Sequence, residues 1–370
     1  MNNEQLSLVA LNMIIELIPK KMISLIDYFG SAENVFKGDK EDIKRIAQVT
    51  DQTAETIKNF SDLKCAEEEI KLAEKNNIKV VTYKDEEYPE PLKDICDYPS
   101  VLYIKGNYSK QDEFSVSIVG SRRPTNYGRI VTDKFCKHFV GCGLTTISGL
   151  ASGIDTQTHI STLDNGGKTI AVLGNGLLDC YPKENKKLQE TIYEKGAVIS
   201  EFPLRQRPDK INFPRRNRIV AALSKATLVV EAALKSGSLI TAELAAEYGK
   251  DVFAVPGPIY ARYSEGPNSL IKNGAFTALK PEDIIEQTFS LFDFVKTVKK
   301  NEKENKLKLV SDDKNSLAVL KILKTSITGL SLDQISASTG ISVSDLSSIL
   351  LQLELDGFIK EMPGQVYIKI

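Results

Sequence analysis

Arginine is concentrated in one stretch of this 370-residue chain, whereas lysine is spread along it. Eight of the ten arginines lie between Arg122 and Arg218. The rigid guanidinium fork binds phosphate oxygens two at a time and also stacks on flat rings. Because the formal net charge of the chain is −1, these arginines would form a local cationic patch. The pattern favours a polyanion that carries bases, that is, a nucleic acid.

The first arginine group directly follows an apolar run at residues 116–119. Its members are Gly120, Ser121, Arg122 and Arg123, with Arg129 a short distance further on. Glycine lets the backbone come close to a ligand, and the arginines supply the charge that phosphate requires. This segment is therefore a candidate phosphate site.

The second group opens a predicted helix and combines cations with an aromatic ring. Its members are Phe213, Arg215, Arg216, Asn217 and Arg218. Cations that follow a backbone and a ring that stacks on a base suit single-stranded nucleic acid. The alternative is that Phe213 packs over the start of the helix and the arginines are merely solvated.

Short β-branched runs alternate with helical segments between residues 78 and 280. The clearest runs are 116–119, 145–148, 169–173, 197–200, 227–230 and 252–255, and 79–82 and 101–104 are predicted to add strands. Continuous apolar runs separated by helices indicate strands that are buried on both faces. The sequence therefore predicts an α/β fold with an extended Rossmann-like, doubly wound parallel sheet.

Ligands of open parallel sheets bind outside the carboxyl ends of the strands. The predicted strand ends carry further glycine-rich loops, with Gly149 and Gly153 in one and Ser236, Gly237 and Ser238 in another. The helices that follow Gly153 and Gly237 offer free backbone amides to an anion. Any doubly wound fold needs glycine in its turns, but several such loops beside arginines favour phosphate binding.

Four segments are predicted: helices at 1–75, the Rossmann-like domain at 76–290, a charged linker at 291–313 and a winged helix at 314–370. The first helices resemble a SAM-like or helix-hairpin-helix domain, yet their turn has no glycine for a phosphate, which favours a packing role. The third helix of the last segment carries Asp345, Glu354 and Asp356 and no Lys or Arg. Because such a helix repels DNA phosphates, we expect a protein-contact role for it.

Several classes of function are not supported by the composition. No run of about 18 apolar residues exists, and the five cysteines include no Cys-x-x-Cys pair, so we expect no membrane span, reduced thiols and a cytoplasmic protein. Two histidines make a His-built metal site improbable. The Gly167-Lys168-Thr169 segment leads into a strand, unlike a P-loop. No cofactor is predicted.

The order of these motifs resembles the DNA-processing protein A (DprA/Smf) family over about 200 residues. The similar segments are 118–124, 148–155, 181–185, 213–218, 231–242 and 255–257. The resemblance implies a single-stranded DNA-binding protein of natural transformation that protects incoming strands and helps load the RecA recombinase, without catalysis. It assigns DNA contacts to Arg122, Lys183 and residues 213–218, and includes Asn185 in the matching segment. It also implies a homodimer formed through the Rossmann-like domain, near residues 266–275.

Two departures from the family pattern stand out. Ser152 occupies a loop position where the family usually has arginine, and Pro267 replaces threonine in a Gly-Thr-Asn turn. Two alternatives stay open. One is an enzyme similar to nucleoside-phosphate phosphoribohydrolases, whose glycine-rich loop parallels residues 236–243, although Leu239 and Ile240 interrupt it. The other is an adaptor whose terminal domains carry the function.

Overall fold

A computed structural model describes residues 2–14, 16–60, 63–289, 314–325, 329–355, 358–362 and 365–369. The chain divides into two compact units, residues 1–290 and 291–370. The predicted linker at 291–313 lies outside the described residues, as do Ile15, Asp356 and the predicted Pro363-Gly364 turn.

Six helices open the first unit. They are α1 (Asn3–Asn12), α2 (Pro19–Phe29), α3 (Ala32–Lys37), α4 (Lys40–Ala47), α5 (Asp51–Asn59) and α6 (Lys64–Lys75). Polar side chains start several of them: Asn2 and Gln5 form a capping box at α1, and Thr50 caps α5. These caps satisfy amide groups that have no partner inside the helix.

A nine-stranded sheet follows. Its strands are β1 (Lys79–Thr82), β2 (Val101–Gly106), β3 (Ser115–Val119), β4 (Thr145–Ser148), β5 (Thr169–Val172), β6 (Ala197–Ser200), β7 (Ala226–Val229), β8 (Asp251–Ala254) and β9 (Phe276–Thr277). Their order is β1-β2-β6-β5-β4-β3-β7-β8-β9. Strands β3 to β9 pair in parallel, whereas β1 and β2 add an antiparallel edge beside β6.

The strand order reverses direction at β3. The chain runs from β3 through β4 and β5 to β6 on one side, then returns to place β7, β8 and β9 on the other side. The loops that follow β3 and β7 therefore lead away from each other, toward opposite edges of the sheet. Such a topological switch point leaves a crevice, which is where doubly wound sheets bind their ligands.

Helices cover both faces of the sheet. They are α7 (Asn126–Gly141), α8 (Ile154–Asp164), α9 (Lys186–Lys195), α10 (Asn212–Leu223), α11 (Gly237–Glu247), α12 (Glu265–Lys272) and α13 (Pro281–Thr288). Successive strand residues enter different cores: Ile170 packs with α10 and α11, and Ala171 packs in the core that contains Ile192 of α9. This arrangement confirms the predicted extended Rossmann-like, doubly wound fold.

The N-terminal helices share the core of the face covered by α9. Leu8 and Leu11 of α1 are fully buried and belong to the same apolar cluster as Ala171 and Val198. Two hydrogen bonds add to this packing: Asn12 Nδ2 donates to the Glu201 carbonyl at 2.9 Å, and the Leu204 amide donates to Glu69 Oε1 at 2.6 Å. The helices thus anchor the chain directly after β6.

The described part of the second unit contains three helices and a small sheet. Its elements are α14 (Lys314–Thr325), β10 (Leu330–Ser331), α15 (Leu332–Thr339), α16 (Val343–Leu355), β11 (Ile359–Met362) and β12 (Val366–Lys369). The strands are ordered β10-β12-β11 and antiparallel. This is the predicted winged helix. None of the described helices in either unit is long and apolar enough to cross a membrane.

A buried polar cluster lies between α8 and the central strands. The His159 ring is fully buried, and its Nδ1 lies 2.7 Å from Thr169 Oγ1. Thr146 Oγ1 donates to Thr169 Oγ1 at 2.9 Å and contacts Thr162 Oγ1 at 2.8 Å. Burial, with a smaller contribution from the charge of Arg216, lowers the pKa of His159 to about 3. The imidazole is therefore neutral in the folded protein.

We predict that this histidine makes folding pH-dependent. Its pKa is depressed on folding, so it stabilises the native state above its unfolded pKa of about 6.5. That stabilisation is lost as pH falls from about 6.5 toward 3, by about 2 kcal/mol between pH 7 and 5. Urea unfolding of the intact chain and His159→Gln across this range should show a flatter dependence for the variant. If the free energy of unfolding depends on pH equally in both proteins, His159 is not the source of the pH dependence.

Candidate nucleic-acid interface

A cavity of about 530 Å³ opens at the switch point of the sheet. We call it the switch-point cavity. Its walls come from the loops after β3, β4 and β7 and from the first turns of α10 and α11. The lining residues are Val119, Gly120, Ser121, Arg122, Gly149, Ala151, Asp155, Tyr181, Lys210, Phe213, Pro214, Arg216, Asn217, Val220, Ala233, Ser236, Gly237, Ser238, Thr241 and Tyr263.

The loop that carries Arg122 is fixed to the end of β7. The Ser121 amide donates to the Glu231 carbonyl at 2.6 Å, and the Thr125 amide and hydroxyl donate to the Glu231 carboxylate at 2.8 and 2.5 Å. Thr125 also caps α7 through the Gly128 amide. These contacts hold the backbone on both sides of Arg122, whose side chain is exposed.

Arg122 stands at one end of a row of flat groups. Its guanidinium carbon lies 5.5 Å from the centroid of the Phe213 ring, within the range of a cation–π contact. The Phe213 and Tyr181 centroids are 5.4 Å apart with the ring planes at 37°. A Cβ at Gly174 would lie 2.8 Å from the Phe213 ring, so glycine there makes room for it. Cation and rings together form one wall of the cavity.

Arg216 lies in the floor of the cavity and is only 4% exposed. Its Nη1 donates to the Gly149 carbonyl at 2.5 Å and to the Val172 carbonyl, at the carboxyl ends of β4 and β5. A Cβ at Gly149 would collide with the guanidinium of this arginine. Gly149 is therefore needed because the guanidinium comes so close to the backbone.

Asp155 balances the charge of this buried arginine. The carboxylate accepts hydrogen bonds from the amides of Gly149 and Ala151 at 3.2 and 3.4 Å. Burial raises the pKa of Asp155, and the opposite charge of Arg216 partly offsets that rise. Burial also lowers the pKa of Arg216 to about 10. At neutral pH the floor holds a charged guanidinium that is already committed to carbonyl groups.

Arg215 and Arg218 do not line the cavity. Arg218 is 3% exposed, and its Nη2 lies 2.5 Å from Glu201 Oε2. Arg215 Nε lies 3.4 Å from the other oxygen of Glu201, and its guanidinium sits 5.2 Å from the Phe202 ring. The expectation that the whole segment 213–218 faces DNA is therefore corrected. On a helix, neighbouring residues point in different directions, and here they pair with a buried carboxylate.

The remaining predicted site residues divide into two sets. The cavity wall includes Gly120, Ser121, Asn217, Ser236, Gly237 and Ser238, and Asn217 Nδ2 donates to the Gly237 carbonyl at 3.1 Å. Arg123 and Arg129 are exposed outside the wall. Gly153 has φ +90°, and a Cβ there would lie 2.2 Å from the Ser121 carbonyl oxygen, so glycine allows the loop to pack against the backbone of Ser121 and Arg122. Asn185 is buried and donates to the Leu150 carbonyl at 2.9 Å, so it has a structural role.

Lys183 is exposed and lines a neighbouring cavity rather than this one. The wall residues that were not among the predicted site residues include three with long polar or aromatic side chains, Tyr181, Lys210 and Tyr263. Lys210 precedes Phe213 by three residues, and Tyr181 belongs to a segment that the sequence singles out. The sequence therefore contained a local indication for Lys210 and for Tyr181. Only the fold shows that Tyr263, which follows β8, reaches the same place.

Fold and site define a Rossmann-like α/β protein with a cationic, aromatic-lined cavity at the switch point. Residues 79–289 match the family described as DNA recombination-mediator protein A, and residues 306–365 match the DprA winged helix domain. Protein Smf of Escherichia coli K12 is 39% identical over 297 residues, which cover 79% of this chain and 77% of the relative. The chain belongs to the DNA recombination-mediator protein A family.

Other similarities agree with this assignment. DNA processing protein DprA of Bacillus subtilis is 40% identical over 211 residues, covering 57% of this chain and 71% of that protein. The solved DprA of Streptococcus pneumoniae aligns with a TM-score of 0.68 and 34% identity over 78% of this chain and all of its own. DNA processing protein A of Helicobacter pylori, solved in a study of its single-stranded DNA binding mode, aligns at 0.51 and 30% identity over 56% and 94%.

We predict that Arg216 is required mainly for stability. In Arg216→Met the Asp155 carboxylate loses its counter-charge and two strand-end carbonyls lose a donor, which should cost about 3 kcal/mol or more. The decrease in the free energy of unfolding should be smaller at pH 5 than at pH 8, because at pH 5 the buried Asp155 carboxyl can be protonated in the folded variant. Chemical denaturation at the two pH values measures this. The exposed Arg123→Ala serves as the control and should change stability by less than about 0.5 kcal/mol.

Proposed function

We propose that this protein binds single-stranded DNA in the switch-point cavity. The observation that carries the proposal is the row formed by exposed Arg122, Phe213 and Tyr181 on the cavity wall. A cation that can reach phosphate beside rings that can stack on bases is the combination by which proteins hold single strands. The Helicobacter pylori relative has a single-stranded DNA binding mode, which supports the same ligand here.

Phosphate groups would be bound by three kinds of donor around the cavity. Arg122 and Lys210 are exposed, and in the described part of the chain neither forms an ion pair. The first turn of α11, at Gly237 and Ser238, adds backbone amides and the positive end of a helix dipole. Arg216 lies beneath these groups, but Asp155 balances its charge and its Nη1 already donates to strand-end carbonyl groups.

Bases would contact the protein mainly by stacking, so little sequence preference is expected. Duplex DNA should bind less well, because its bases cannot leave the stack to contact Phe213 or Tyr181. Together with the family assignment, this supports a role in protecting incoming strands and loading the RecA recombinase onto them in the cytoplasm. The winged helix, whose described recognition helix carries Asp345 and Glu354, is proposed to contact protein rather than DNA.

The protein is proposed to act without catalysis. The enzymatic alternative needs an acid that reaches a ribosyl carbon, and Glu243 is the candidate. This residue is exposed on α11, and among the residues that the structure describes it is not part of the cavity wall. Release of free base from a nucleotide by the purified protein would restore the alternative.

Dimerisation is proposed through the β9 edge of the sheet. Apolar side chains are exposed there: Ile259 and Tyr260 follow β8, Phe276 lies on β9 and Leu279 follows it. A cluster of exposed apolar residues of this kind marks a protein contact. The predicted stretch at 266–275 forms α12 and the approach to β9, in the same part of the sheet.

We predict that Arg122→Ala and Phe213→Leu each weaken binding to an oligothymidine by about tenfold, through loss of a phosphate contact and of a stacking surface. Fluorescence anisotropy across a salt series measures this. If about four phosphates are neutralised per protomer, the log–log slope of affinity against salt is about −3 for the intact chain.

The matched control is Lys137→Ala, which removes an exposed cation from α7 away from the cavity. This variant should bind as the intact chain does. A duplex affinity equal to or above the single-strand affinity would refute the proposed mode, as would indifference of binding to both cavity substitutions in folded protein.

We predict that Leu279→Glu converts the dimer to a monomer, because it places a charge in the proposed contact. Sedimentation equilibrium measures the association constant. Leu279 is 73% exposed, and the control Ile130→Glu changes an apolar residue on α7 that is 60% exposed. If both variants become monomeric, or if neither does, the β9 edge is not the interface.

A further inference from the structure

A second cavity of about 420 Å³ lies beside the switch-point cavity. We call it the lysine groove. It is lined by Lys105, Leu177, Leu178, Asp179, Cys180, Lys183, Lys186, Gln189, Glu190 and Tyr193. Three ammonium groups thus come from β2, from the turn before α9 and from α9 itself. Among the described residues, none of the three lies within ion-pair distance of a carboxylate.

A buried amide in this groove has an unused acceptor. Gln189 is 4% exposed, its Nε2 donates to the Tyr193 hydroxyl, and its Oε1 has no hydrogen-bond partner among the described residues. The Tyr193 hydroxyl in turn donates to the Leu177 carbonyl at 3.2 Å. Since an unpaired buried acceptor is costly, a ligand with an N–H or O–H donor would relieve it.

Lys105 is held where a ligand could meet it. Its ammonium lies 4.5 Å from the centroid of the Tyr193 ring, so the ring fixes the direction of the side chain. Lys105 therefore points along the wall rather than freely into solvent. Leu177 and Leu178 give the same groove an apolar part, which suits the flat faces of bases.

The two cavities share one turn of the chain. Cys180 and Lys183 line the lysine groove, while Tyr181, between them in the sequence, lines the switch-point cavity. Because Tyr181 and Lys183 are only two residues apart, one strand could contact both cavities at this turn.

We propose that the lysine groove is a second binding segment for the same single strand, taking the nucleotides that leave the switch-point cavity past Tyr181. This rests on the proposed function of that cavity. Lys105, Lys183 and Lys186 bind the phosphates, and Gln189 Oε1 accepts a hydrogen bond from an exocyclic amine or a sugar hydroxyl.

The acidic residues of the groove limit what it can bind. Asp179 and Glu190 also line it, so three positive and two negative side chains face the ligand. The Asp179 carboxylate already accepts a hydrogen bond from the Cys180 amide at 2.8 Å. A small excess of positive charge fits phosphates spaced along a strand better than a compact polyphosphate. Contacts in the lysine groove would therefore add to the affinity for a strand that is already bound in the switch-point cavity.

The test compares two oligothymidines, one of about six nucleotides and one of about twenty, since single-strand sites commonly span this range. Lys105→Gln with Lys186→Gln should weaken binding of the long oligonucleotide by about tenfold at about 0.1 M salt and reduce its salt slope by about 1.4, the effect of two lost phosphate contacts. Binding of the short oligonucleotide should stay unchanged.

A matched control is Lys187→Gln with Lys195→Gln, which removes two exposed lysines from the same helix, α9, outside the groove. It should leave both oligonucleotides unaffected. The proposal is overturned if the groove pair has no effect on the long strand, or if the control pair weakens it equally, since that would reflect general charge. Arg122→Ala measured on the short oligonucleotide tests the switch-point cavity separately, so the two failures can be told apart.

Discussion

The constraint on which the candidate site depends is the burial of two opposite charges, those of Arg216 and Asp155. Parallel strands end in carbonyl groups that helices cannot all satisfy, and here the Arg216 guanidinium binds those of Gly149 and Val172. A charge in that position has to be balanced, which Asp155 does from the first turn of α8. Gly149 is fixed by the same geometry, because any side chain there would occupy the place of the guanidinium. These hydrogen bonds join the carboxyl ends of β4 and β5 to the helices α8 and α10 that form the cavity floor.

The arginine-rich stretch therefore contains side chains with two different tasks. Arg216 and Arg218 are buried and hold the chain through carbonyl groups and Glu201, whereas Arg122 is exposed and available to a ligand. Buried charges are strongly tied to their partners, and removing one partner is costly. The exposed arginine costs the fold little and is free to bind. A charge-balanced, buried floor with an exposed cation above it leaves Arg122 as the arginine of this cavity that can bind an anion.

The sequence predicted eight of the nine strands of the sheet and the winged helix, because continuous apolar runs of four or five residues between helices leave few other folds. It missed β9, which is only two residues long and has no such run. It also singled out Arg122 and Phe213, which both line the cavity, since a cation after a strand end and a ring among arginines are local signals. It failed at Arg215 and Arg218, because the direction of a helical side chain depends on where Glu201 lies after another strand. Tyr263 was missed for a related reason: only the strand order brings the loop after β8 to this site.

The N-terminal helices have a place in this arrangement that bears on the adaptor hypothesis. Asn12 and Glu69 bind the backbone at Glu201 and Leu204, so helices α1 and α6 hold the segment that leads to Phe213. Glu201 in turn holds Arg215 and Arg218 at the start of α10. A change in the helices would therefore reach the aromatic wall through Glu201, even though no described residue before β1 lines the cavity. Loss of DNA binding after deletion of these helices would thus not show that they contact DNA, and substitutions at Arg122 separate the two explanations.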